Sequence, residues 1–365
     1  MSQPQSNLSI LQGQALALFA FDIGYEVNLE KLGSLLPSQR LQPLSTTKRT
    51  PTYLQYPRPP HVIQIGETLI LPNRKGQIQA TIFDFGAVSI TYRWPLVNDH
   101  ESLTLAGLPA FSEALFESDL ESDARAQIQA LLAKIKPAVS RPALSDMVED
   151  YYIFALEKLA NPLTAQELRN EYDALLAQVL RFETQPLSRE LQKEALAKAI
   201  SYYPTDLALI DWNAAVLYDP DYTDTLSVLE LLNVELLEAR YLDAELDNRI
   251  QVYEDVVQKQ PRWFIPLLSP YRHIIQELAE LRIESALLAE RVDNALKLIG
   301  DLYLARVHDA ASERFGIAAW DAAISRKLDI TGNLYQLLTD RISNAQGQTL
   351  ELIIIILILI EIFFK

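Results

Sequence analysis

Few residues in this 365-residue chain combine the type and spacing that chemistry needs. The four histidines, His61, His100, His273 and His308, stand far apart. None has a second histidine three or four positions on, the helical spacing that a pair of metal ligands would use. There is no cysteine, which excludes disulfides, thiolate metal sites and a thiol nucleophile. The glycines are scattered, with no G-x-G-x-x-G and no G-K-[ST] loop for phosphates. G-x-S-x-G and H-E-x-x-H are absent too. Glu117, Asp119, Glu121 and Asp123 alternate at i+2, but on a helix that spacing splays the carboxylates, and no glycine supplies a calcium-loop turn. They read as a solvated linker between helices. Forty-eight acidic residues cannot be sorted into an acid–base pair without geometry. Lys48, Arg49, Tyr53, Tyr56 and Arg58 interleave cations with aromatics, the elements of a phosphate-plus-stacking surface, with a solvated loop as the competing reading. These residues call for no metal and no cofactor.

Charge narrows the partners. Lys and Arg number 32 against 48 Asp and Glu, a formal net charge of −16, which polyphosphate repels, so no specific DNA partner is expected. The first 80 residues run the other way: Lys31, Arg40, Lys48, Arg49, Arg58, Arg74 and Lys75 outnumber Asp22, Glu26, Glu30 and Glu67. That asymmetry points to an interaction surface near the N-terminus. Met1–Leu11 is polar and does not read as a secretory signal.

The elements that would position any site follow from the patterning. Ala15–Phe21 is a continuous apolar run, read as a buried strand, and Asn28 offers an N-cap for a short helix to about Leu36. Seven prolines between Pro37 and Pro72 break regular structure. Short strands are expected at Val62–Ile65 and Thr68–Leu71, then a hairpin over Ile78–Trp94 turning at Asp84-Phe85-Gly86. Helices are expected at 102–116 and 123–135, a buried strand at Tyr151–Leu156, and a helix from the Thr164–Glu167 capping box to about Arg181. From about Asp221 the pattern turns helical with heptad spacing: Leu229, Leu232, Leu236, Ala239, Leu246, Ile250, Tyr253 and Val257, then Leu278, Leu281, Ser285, Leu288, Val292, Ala295, Ile299 and Leu302. Pro261, Pro266 and Pro270 between the two runs make them antiparallel. A third seam, Ile317 to Thr349, has no proline and runs unbroken toward the tail. The reading is α+β: a mixed α+β domain over 1–205, an antiparallel coiled-coil-like helical region over 206–349, and an apolar segment over 350–365.

In that last segment Leu352, Ile353, Ile354, Ile355, Ile356, Leu357, Ile358, Leu359 and Ile360 are consecutive, followed by Glu361, Ile362, Phe363, Phe364 and Lys365. Leu352–Phe364 would make roughly 20 Å of helix against a hydrocarbon core of about 30 Å. The segment therefore reads as a membrane anchor or half-inserted helix. A helix buried at the axis of an oligomer and a strand-forming end are its alternatives.

Two of these segments carry a resemblance. Thr81-Ile82-Phe83-Asp84-Phe85-Gly86-Ala87-Val88 resembles the F-D-[YF]-G-hydrophobic signature of the "required for meiotic nuclear division" family, also called the YagE-like domain of unknown function. Arg326-Lys327-Leu328-Asp329-Ile330, and then the run from Glu351 through the aliphatics to Glu361, resemble that family's last helix. Ser343–Thr349 departs from the His- and Arg-containing stretch usual there. The resemblance implies a membrane-associated protein without catalytic residues. Its eukaryotic members sit at the mitochondrial inner membrane and support translation of membrane proteins as ribosome tethers.

The functional expectation is a non-enzymatic, membrane-associated scaffold or tether that self-associates through its C-terminal helices. Its partners would be other copies of itself, membrane lipid, and the ribosome or another protein. Arg326, Lys327 and Arg341 precede the tail, which places the bulk of the chain on the cytoplasmic side, or the matrix side in an organelle. The alternative is a metal-dependent hydrolase with a carboxylate site in the α+β domain.

Overall fold

An apolar strand of 13 residues, β1 (Ile10–Asp22), lies at the middle of a nine-stranded sheet, because its side chains are apolar on both faces and both faces are covered. The computed structural model describes residues 8–36, 42–43, 59–71, 74–98, 102–258, 273–281, 283, 285–286 and 302–364. Lys48, Arg49, Tyr53, Tyr56 and Arg58 lie outside the described residues, as do His100 and the heptad positions from Leu288 to Ile299.

The other strands are β2 (Glu26–Val27), β3 (Gln42–Pro43), β4 (His61–Thr68), β5 (Gly76–Ile82), β6 (Ala87–Pro95), β7 (Val139–Ser140), β8 (Glu149–Leu159), β9 (Lys198–Ile200), β10 (Leu207–Ile210) and β11 (Ala214–Tyr218). The sheet order is β3-β4-β5-β6-β1-β8-β11-β10-β9, antiparallel except for β8 beside β11; β2 and β7 pair separately. The expected hairpin is β5–β6, with Ile82 opposite Val88. Strand β4 replaces the two short strands expected at 62–71, since a register shift between Gln64 and Gly66 lets one strand follow β5 throughout.

The helices of the chain's first part are α1 (Leu29–Leu35), α2 (Leu108–Phe116), α3 (Leu120–Ile135), α4 (Ala165–Glu171), α5 (Asp173–Arg181) and α6 (Arg189–Ala195), and α1 and α4 start at the expected caps. Asn28 accepts from the Lys31 amide, and Thr164 with Glu167 forms the capping box. The helix expected to reach Arg181 is two helices that meet at Tyr172. Ala15, Ala17, Phe19 and Phe21 of β1 share one core with residues of α1–α6. Leu16 and Leu18 face the opposite core, where Leu226, Leu229 and Leu232 of α7 (Thr223–Gln258) meet Leu304, Val307 and Ala311 of α9 (Leu302–Phe315).

The boundary expected at 205 is corrected. One unit comprises Met1–Glu238 with Val292–Ile317, because β10 and β11 extend the sheet past 205 and α9 covers its second face. Leu302, expected on the heptad seam, opens α9 and is 75% exposed. Asp211, fully buried in the β10–β11 turn, ties the layers together: Arg181 Nε of α5 lies 2.7 Å from one carboxylate oxygen, and Arg314 of α9 pairs with the other. Asp211→Ala leaves Arg314 with the Glu194 carbonyl and Arg181 with the half-exposed Glu194 carboxylate, and should lower the urea-unfolding free energy by about 3 kcal/mol. A change below about 0.5 kcal/mol would dismiss the bridge as a fastener.

The other unit, Ala239–Arg291 with Ala318–Lys365, is helical. Ala239, Leu242 and Leu246 of α7 pack with Leu281 and Ile324, while Tyr253 packs with Leu278 and Leu338. Helical residues 273–281 (α8) are therefore antiparallel to α7, and α10 (Ile317–Phe363) runs parallel to α7. Lys327 bridges Asp243 and Asp247, 2.6 Å from each. As expected, α10 is unbroken: neither Gly332 nor Gly347 interrupts its 47 residues.

Candidate functional site

The Phe83–Gly86 turn closes against the chain as it leaves β1. The Ile23 amide donates to the Gly86 carbonyl (2.9 Å), the Val27 amide to the Asp84 carbonyl (2.8 Å), and the Phe83 amide to the Ala87 carbonyl (3.0 Å). Phe83 and Phe85 are buried with ring centroids 5.3 Å apart. Gly86 has φ +102°, and a Cβ there would stand 1.8 Å from the Gly24 carbonyl oxygen. Gly24, at φ +144°, is pressed in turn against the carbonyls of Ser140 and Arg141. Three backbone segments thus cross where no side chain fits. Phe83, Asp84, Phe85 and Gly86 build this crossing.

Beside the crossing, a row of polar groups is buried between the sheet and α7. At one end Arg93 donates to Gln14 (3.1 Å) and to the Tyr222 hydroxyl (3.4 Å). In the middle the Thr91 hydroxyl donates to Glu230 (3.1 Å), and Asn233 donates to the Glu149 carbonyl (3.1 Å). Further along α7, Glu238 is buried within electrostatic reach of Asp22, the last residue of β1. Glu238 is 3% exposed, and neither of its carboxylate oxygens has a hydrogen-bond partner. Burial, and then the Asp22 charge, push its carboxyl well above the usual carboxylate range. Burial raises Asp22 to about 7, against a hydrogen bond from the Gly24 backbone that favours its charged form. Two acids in such surroundings hold protons at pH values where exposed carboxyls have lost theirs.

Neither member of the pair stands out in the sequence as chemistry. Asp22 reads there as the polar end of an apolar run, and Glu238 as one acid among many. The one periodic signal is in the strand, where Asp22 keeps the β1 face of Leu16 and Leu18.

The acids at 117–123 do not gather. Asp123 accepts from the Tyr92 hydroxyl, and Glu121 lies 3.7 Å from Arg125 on the same helix. The three described histidines sit on separate elements, His61 in β4, His273 beside Glu277 and His308 beside Asp309. Among the described residues, no three His, Asp or Glu side chains cluster as metal ligands would.

The expected membrane segment is the end of α10. From Leu350 onward its large apolar side chains are all exposed, from 46% at Ile353 to 90% at Phe364. By length and composition this helix could cross or anchor in a membrane. Glu351 and Glu361 are ten residues apart, which sets them about 80° apart around the helix and about 15 Å apart along it.

Comparison with known proteins bears on the sheet unit. The family described as "Uncharacterized protein MJ0711, N-terminal domain" matches residues 12–225. "Uncharacterized protein MJ0711" of Methanocaldococcus jannaschii is 23% identical over 217 residues, 59% of this chain. The chain spans 65% of that relative's length. No solved structure matches the chain. The matched stretch contains β1 from Gln12 on, the Gly24–Gly86 crossing and the sheet through β11, and with it the chain belongs to the MJ0711 N-terminal domain family.

Proposed function

We propose that this protein is a non-enzymatic scaffold or tether. In this reading it attaches to a membrane through the end of α10, self-associates through its C-terminal helices and offers its sheet unit to a protein partner. One observation carries the reading: the helix ends in consecutive exposed aliphatics from Leu352 to Ile360, a surface that water does not tolerate. Arg326, Lys327 and Arg341 precede it and favour the cytoplasmic or matrix side for the rest of the chain. The resemblance of the Phe83–Gly86 turn and of the last helix to the "required for meiotic nuclear division" family supports a link to translation of membrane proteins, with the ribosome as the partner.

Light scattering on the detergent-solubilised chain tests self-association. More than one copy per particle is expected at micromolar concentration, and a clean monomer overturns that part of the reading. Mass spectrometry of the native membrane complex tests the tether, with ribosomal proteins expected among the co-purified chains. Their absence at high recovery removes the ribosome.

A further inference from the structure

We infer that one face of α10 beyond Ile342, centred on Glu351 with Gly347 and Gln348 one turn before it, is where a second copy of this chain packs inside the membrane. The contact rests on the membrane attachment proposed above and names what covers this stretch of helix. Ile342 is the last described residue of α10 that packs with α7 and α8. Residues 342–363 make about 33 Å of helix, against roughly 30 Å of hydrocarbon core. Ser343–Thr349 carry no charge, so this whole length enters with the aliphatics. The ionisable side chains within it are Glu351 and Glu361. Glu361 is two residues from the helix end, where a long side chain reaches the far headgroups. Glu351 stands about 14 Å past Ile342, near the bilayer centre, out of reach of either interface. An ionisable group at that depth needs a partner within the membrane.

Gly347 has no role in the chain's own packing. It sits inside a helix, where glycine is less stable than alanine, and a Cβ there would meet nothing within 4 Å. At about 100° per residue, Asn344, Gly347, Gln348, Glu351, Ile354 and Ile358 share a face about 120° wide with Glu351 at its middle. The opposite face at the same depth, Ile353, Ile356 and Ile360, is purely aliphatic. A glycine lets a neighbouring helix come close, and an amide one turn from a carboxyl supplies an interhelical hydrogen bond. That combination associates helices in lipid, where apolar side chains gain nothing by leaving the acyl chains.

Depth makes the neighbour another copy. Arg326, Lys327 and Arg341 put the same end of every α10 on the same side of the membrane, so two copies enter parallel. Equal residues then lie at equal depth. Gln348 of each copy donates an amide N–H to the Glu351 carboxyl of the other, a symmetric pair of bonds across one close contact. An acyl chain offers Glu351 neither donor nor acceptor.

The chain has no cysteine, so single introduced cysteines report on this face without background. Full-length Ile354→Cys and Ile358→Cys are placed at low density in phosphatidylcholine vesicles and oxidised with copper phenanthroline. They should form linked dimers at about ten times the yield of Ile353→Cys, Ile356→Cys and Ile360→Cys, because a disulfide needs Cα atoms within about 7 Å. Adding Glu351→Leu or Gly347→Leu to Ile354→Cys should cut the yield about fivefold at unchanged flotation. Glu351→Gln keeps a hydrogen-bonding group at that depth and should hold the yield within about twofold. Flotation of the same vesicles separates the contact from the anchor. A chain that floats but cross-links equally from both faces, mainly from the Ile353 face, or from neither, overturns the contact and leaves the anchor standing. So does a Glu351→Leu chain that cross-links like its parent. A chain that does not float overturns both.

Discussion

A chain ending at Thr349 should stay in the aqueous phase when the full chain floats with phosphatidylcholine vesicles. The expectation rests on magnitudes. The nine aliphatics from Leu352 to Ile360 are each about half exposed on the helix surface. Moving such a side chain from water into hydrocarbon is worth about 1.5–3 kcal/mol, so the nine together outweigh every opposing contribution in the segment. Glu351 and Glu361 oppose insertion, each by about 3 kcal/mol at the bilayer centre and by less near an interface, which their side chains can reach. Even half of the gain, set against both glutamates, leaves the full chain bound. The sheet unit should melt at the same temperature in both forms, since none of its core residues lies beyond Ile317. Flotation of the truncated chain to the same extent overturns the anchor. A full chain that stays in water as an oligomer, and that falls to monomers on truncation, would make the segment an assembly core instead.

Gly86→Ala should lower the stability of the sheet unit by about 3–5 kcal/mol. Two separate penalties meet at this residue. The left-handed backbone at φ +102° costs an L-residue about 1–3 kcal/mol. A Cβ 1.8 Å from the Gly24 carbonyl oxygen must in addition push apart two backbone segments joined by the Ile23–Gly86 and Val27–Asp84 hydrogen bonds. Neither segment can yield as a flexible side chain would. Gly66→Ala is the control, because a Cβ there meets only the tip of Ile78 at 3.9 Å and should shift stability by about 0.5 kcal/mol or less. Urea denaturation of both variants decides the matter. Equal midpoints for the two would show that the crossing at Gly86 relaxes freely, and the turn would then owe its sequence to a ligand or partner.

What the sequence determined by itself is local. The apolar run of Ala15–Phe21 is a strand, and Asn28 and Thr164 cap helices, because burial on both faces and an unsatisfied helix end each leave a mark within a few residues. The hairpin at Asp84-Phe85-Gly86 and the unbroken last helix were legible for the same reason, and so was the α+β class. Tertiary structure decided what those marks face. Leu207–Ile210 and Ala214–Tyr218 complete the sheet, and Leu302–Phe315 returns to cover it, so the unit does not end at 205. A periodic pattern states that a face is buried and leaves its partner open, which is why α9 read as a continuation of the heptads. The same limit hid the Asp211 bridge and the Asp22–Glu238 pair. An acid's ionisation depends on what surrounds it, and the residues that surround these acids are brought there by the fold, from up to 216 positions away in the chain.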